Sequence, residues 1–121
     1  MSYDISLKDK DGGQVVSVDN HEEGGTYCLG GTTEASLNVT YNYSPFYYHF
    51  LDQDHGIRWL YGKTGKQSIP RLEYAIEKLK PLGGDYRFEN YWAPTPSNAS
   101  HALQILLSWA KQHPTATFSG D

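Results

Sequence analysis

The sequence has one cysteine, Cys28, in 121 residues. A single thiol excludes an intrachain disulfide framework and a cysteine-based zinc site, and it points to a reducing compartment. No apolar run approaches the roughly 20 residues that a membrane span needs. The opening MSYDISLKDKDGG lacks the apolar core of a secretion signal. The expected location is therefore the cytoplasm, and the sequons at Asn38, Asn42 and Asn98 carry no weight. Basic residues are few, 10 against 14 acids, for a net charge of −4. The basic footprint of generic nucleic-acid binding is missing. Aliphatic residues are also short: Leu, Ile, Val and Phe total 24, near the level at which disorder begins. Ten Tyr and three Trp supply the apolar area that the aliphatics do not. The length suits one domain, 1–121.

Charge is uneven. Residues 1–34 carry seven acids and two bases, and residues 35–121 carry seven acids and eight bases. An anion site is therefore expected in the second part. Tyr3, Ile5 and Leu7 alternate with polar residues and predict a half-buried strand over 3–8. Asp11-Gly12-Gly13 suits a hairpin turn, with a returning strand over 14–18 and an acidic loop over 19–25. A short strand is expected over 26–29, a turn over 30–33, and a strand over 35–43. Ser44-Pro45 reads as the start of a short helix. Residues 57–61 fit helix or strand equally. Ile69, Leu72, Ile76 and Leu79 form the stripe of a helix, and a more apolar helix follows the aromatic loop over 85–95. Strands first and helices later predict an α+β fold. A small antiparallel sheet from the N-terminal half packs against two main helices, about 68–80 and 97–111.

Chemistry concentrates in three places. Thr26, Gly30, Gly31, Thr32 and Thr33 lie among two glycine pairs, followed by Asn38, Thr40 and Asn42 on one strand face. That face has donors and acceptors without charge, as ribose hydroxyls and base edges require. Its competing reading is an ordinary solvent-facing sheet surface. Arg58, Tyr61, Lys63 and Thr64 surround a basic glycine loop. Gly62-Lys63-Thr64 fails as a P-loop, because Ile57 stands where that motif needs glycine. A looser phosphate-holding role competes with a solvated turn. Tyr43 and Trp92 are the stacking candidates, against the reading that the aromatics are mostly core. No histidine pair has helical metal spacing, and Asp52-Gln53-Asp54-His55 reads as a helix-ending turn. No nucleophile–base set stands out, so no catalytic residue, metal or cofactor is assigned.

The segment GGTYCLGGTTEASLNVTYNYSPFYYHF resembles the signature block of a family of small proteins encoded by tailed phages and prophages. GIRWLYGKTGKQSIPRLEYAIE at 56–77 and YWAPTPSNASHAL at 91–103 resemble its second and third blocks. The resemblance covers Gly24 to about Leu107 and carries no catalytic motif. It implies a protein acting inside an infected bacterium. Joined to the polar strand face and the basic loop, it leads to an expected function. A non-catalytic protein sequesters a nucleotide-derived immune signal, of the cyclic-ADP-ribose or cyclic-nucleotide kind, and so inhibits anti-phage defence. A homo-oligomer is expected for so small and aromatic a chain. The alternatives are an inhibitor of a host enzyme acting by protein contact, a small hydrolase acting on a nucleotide, and a minor virion component.

Overall fold

The alternation at the start of the chain buries one face of β1 (Ser2–Lys8), with Tyr3, Ile5 and Leu7 almost wholly enclosed. The computed structural model describes residues 1–11, 13–22, 31–83 and 93–121. Across these residues the chain is an α+β fold of antiparallel sheets and helices. β1 is the middle strand of three. It pairs on one side with β4 (Ser36–Thr40), setting Asp4 opposite Asn38 and Ile5 opposite Leu37. On the other side it pairs with β5 (Thr117–Gly120), setting Leu7 opposite Phe118. Directly opposed residues share a face. Tyr3, Ile5, Leu7, Leu37, Val39 and Phe118 therefore make the inner face, and Asp4, Ser6, Ser36, Asn38 and Ser119 lie on the other.

The inner face meets three helices. α1 (Ser44–Phe50) brings Tyr47, α2 (Gly65–Gly83) brings Leu72 and Leu79, and α3 (Pro96–Gln112) brings Leu103, Leu106 and Trp109. Burying each such side chain stabilises by about 1.5–3 kcal/mol. Five aromatic rings, Tyr3, Tyr43, Tyr47, Trp109 and Phe118, are buried in the core, while Tyr41, Phe46 and Phe50 are only half-buried and Tyr48 is exposed. The α2–α3 junction is tight at Gly65, where a Cβ would lie 2.7 Å from the carbonyl oxygen of His113 and 2.9 Å from that of Ala110. Apart from the main sheet stands a two-stranded ribbon of β2 (Ser17–Glu22) and β3 (Gly31–Glu34).

Several boundaries differ from the sequence reading. The strand expected over 35–43 stops at Thr40, whose Oγ1 accepts the N–H of Asn42 and caps a 3₁₀ turn, Tyr41–Tyr43. Residues 57–61 lie mostly within another 3₁₀ turn, Gly56–Leu60. α2 starts one turn before Ser68, because Thr64 and Gln67 cap it reciprocally. Thr64 N–H donates to Gln67 Oε1, and Gln67 N–H to Thr64 Oγ1. Pro70 thus lies inside α2 and not at its start. The expected loop over 19–25 is strand as far as Glu22, and Gly31–Glu34 is strand where a turn was expected. The returning strand expected over 14–18 meets β1 through the bridge of Lys8 to Val15 and the bond from Val16 N–H to the Leu7 carbonyl, and the strand proper begins at Ser17. β5 was not anticipated. The expected strand over 26–29 with Cys28, and the aromatic stretch Tyr86–Trp92, lie outside the described residues. No described helix is long and apolar enough to cross a membrane.

Candidate functional site

The residues selected from sequence fall into separate places. Thr26, Gly30 and Trp92 lie outside the described residues. Asn38 is on the outer sheet face, where its Nδ2 donates to Ser2 Oγ at 2.6 Å and Asp4 Oδ1 at 2.8 Å. Thr40 is buried as the cap, Asn42 is exposed beyond it, and Tyr43 is wholly enclosed in the core. Thr32 accepts the N–H of Glu34 through Oγ1, and Thr33 is exposed on β3.

The basic loop is likewise occupied by the fold. The N–H groups of Gly62, Lys63, Gly65 and Lys66 donate to backbone carbonyls of Phe118, Leu60, Ala116 and Pro114, and that of Thr64 goes to Gln67. No amide of this loop is left to cradle a phosphate. Lys63 Nζ sits 4.8 Å from the Trp59 ring centroid, and Arg71 lies 4.4 Å from the same centroid. Arg58 stacks over Tyr3 at 4.9 Å, and its Nη2 donates to Tyr41 OH at 3.2 Å and Asp121 Oδ1 at 3.3 Å. Burial works against the Arg58 charge, yet Asp121 and the tyrosines raise its pKa above the ordinary value. Beside it, the Tyr61 hydroxyl is buried with no partner among the described residues. Burial pushes its pKa up to about 12, with Asp121 adding to the effect.

A groove opens elsewhere, between α3 and the β2–β3 ribbon. Adjoining cavities of about 360 and 180 Å³ share Asn20, His21, His101 and Ile105 as walls. A third, of about 400 Å³, continues past Asp19, Gln104 and Ser108 to Lys80, Lys111 and Gln112. His101, Gln104, Ser108 and Lys111 recur at intervals of three and four, so one face of α3 floors the whole length. The ribbon is tied to that floor at both ends. Asp19 N–H donates to Gln112 Oε1 at 2.9 Å, and His113 Nε2 bonds the carbonyl of Ser17. At the other end Glu22 Oε1 faces His101 Nε2 at 3.8 Å.

Two features make this groove chemically distinct. His21 places Nδ1 2.8 Å from the carbonyl of Glu22 and Nε2 3.0 Å from that of Glu34. Both ring nitrogens thus face ribbon carbonyls, which hold the ring in place. The same ring lies 5.2 Å from the ring of Trp109. Trp109 is fully buried, lines the inner cavity, and its Nε1–H has no acceptor among the described residues. A buried donor left unmet costs about 1–3 kcal/mol. Gly31 is the member of the sequence-selected set that lines the groove. A Cβ there would lie 2.5 Å from Asn20 Oδ1, so the missing side chain makes room for the Asn20 amide. Among the described residues no group of three His, Cys, Asp or Glu side chains is placed to hold a metal.

His21, Asn20, His101, Gln104, Ser108 and Trp109 were not selected from sequence. The signal for His101, Gln104 and Ser108 was the polar stripe at 101, 104, 108 and 111 beside the apolar stripe of the last helix. Compared with family models, with curated proteins and with solved structures, the chain matches none.

Proposed function

We propose that the protein binds a nucleotide-derived signal in the groove between α3 and the β2–β3 ribbon and holds it without turnover. In an infected bacterium this would withdraw the signal from anti-phage defence, as the resemblance to phage-encoded proteins implies. The single observation that carries the binding site is Trp109, whose indole N–H has no acceptor among the described residues and which lines the middle of a groove rich in uncharged donors and acceptors. Asn20 and Gln104 offer both senses of amide hydrogen bond, as a base edge requires. His21 and Trp109 supply flat rings, and about 360 Å³ in the outer cavity alone reaches the lower range of small-molecule sites. The site so proposed differs from the strand face and basic loop favoured by sequence. The proposal extends to a host-cytoplasmic site of action and to a homo-oligomeric state, which sedimentation velocity tests.

The deciding experiment is mass spectrometry of small molecules released from the denatured protein, purified from cells that make immune nucleotide signals and from a signal-free strain. An intact nucleotide near one per site, present only in the first preparation, supports the reading. An empty protein whose melting temperature added nucleotides leave unchanged overturns it, and attention moves to a host protein partner. Trp109→Phe keeps a ring in the core but removes the donor. It should weaken binding by about tenfold, the scale of one buried hydrogen bond.

A further inference from the structure

We propose that the ligand lies along α3 with its base beside Trp109, its ribose at Asp19 and its phosphate between Lys80 and Lys111. The inference rests on the nucleotide reading and adds an orientation to it. Charge along the groove is ordered. The carboxylate of Glu22 stands at the His101 end, 3.8 Å from that imidazole, and disfavours a phosphate there. The middle, around Asn20, Gln104, Ser108 and Trp109, offers uncharged hydrogen-bonding groups. Asp19 lines both the inner cavity and the one beyond it. A carboxylate in that place suits vicinal hydroxyls, which donate to it, as acidic residues do for ribose. Past Asp19 the cavity of about 400 Å³ carries the two cations, Lys80 from α2 and Lys111 from α3. Lys111 is held by Glu73 at 3.7 Å with both side chains about half exposed, so the pair can yield to a phosphate at small cost. Arg58 and Lys63, the phosphate candidates from sequence, are not among the residues lining these three cavities.

The test uses the four ribonucleosides, their 5′-monophosphates and the 2′-deoxy monophosphates as probes, with affinities from calorimetry. In the wild type the best ribonucleotide should bind roughly fivefold to tenfold tighter than its nucleoside, the scale of two exposed lysine contacts. Lys80→Ala with Lys111→Ala should abolish that difference and leave nucleoside affinity unchanged. Both lysines are exposed, so the variant folds. Asp19→Asn should erase the preference for ribose over deoxyribose. Arg58→Ala with Lys63→Ala should change neither ratio. The indole N–H signal of Trp109 should move with nucleoside and nucleotide alike. If the double lysine variant keeps the wild-type difference, the orientation is overturned while nucleotide binding stands. If no probe binds the wild type up to about 1 mM, the nucleotide reading falls and the orientation falls with it.

Discussion

The hydroxyl of Tyr47 donates to the backbone carbonyl of Ala99, 3.1 Å away, and joins α1 to the first turn of α3 inside the core. The groove floor begins two residues further on, at His101, so this bond helps fix where the floor starts. Tyr47→Phe keeps the ring and removes the donor. It should cost about 1 kcal/mol, seen as a Tm lower by roughly 4 °C for a domain of this size. An unchanged Tm would mean that the bond contributes nothing net.

Gly65 marks the closest approach of α2 to the end of α3. A methyl group there meets two backbone oxygens, which cannot swing aside as a side chain does. Gly65→Ala should destabilise by about 1–3 kcal/mol despite the better helix propensity of alanine. Denaturant unfolding measures it, and a stabilised variant would refute the packing described at this junction.

Tyr61 sets an alkaline limit. Its pKa is raised from 10.0 to about 12, so the folded state favours the protonated phenol. That contribution is full below pH 10 and is lost as pH rises toward 12. Tyr61→Phe should therefore flatten the fall in stability across this window. Near neutral pH it should leave stability equal or higher, since it deletes a buried hydroxyl without a partner among the described residues. Urea melts at pH 7 and pH 11 separate the two effects.

The ribbon depends on few ties to α3. Gln112→Ala removes the acceptor of the Asp19 amide. Hydrogen exchange at Asp19 should quicken by at least about tenfold, as expected for a local opening that has lost its main restraint. Exchange at Leu7 in β1 should not change. Equal acceleration at both would show that ribbon and sheet open together.

Much of the fold was legible because burial imposes period. Tyr3, Ile5 and Leu7 alternate, and Leu72, Ile76 and Leu79 recur at helical spacing, as their buried faces require. What escaped was set by contacts distant in sequence. β2 is polar apart from the buried Val18, since the ribbon has little core to face, and the sequence Asp-Asn-His-Glu within it resembles a loop. β5 is four residues long, and it is a strand because β1 and the Lys63 carbonyl supply its partners. The proposed groove lies away from most of the sequence-selected groups for a related reason. Glycine and lysine at 62–66 suggest a phosphate loop only while their amides are free, and the C-terminal segment 114–118 takes three of them. Gly31 was found from its glycine neighbours. Trp109 was hidden inside an apolar stripe that accounted for it fully.

β1 is made long before β5, and Ser6 waits for Ser119 and Leu7 for Phe118 before its second edge is closed. The same four-residue strand receives Gly62 and Lys63 through the Phe118 backbone. Until β5 is made, the sheet stays open on this side and the Leu7 side chain stays wet. Pairing over so long a sequence separation is slow, so closure of this edge is a late step in folding.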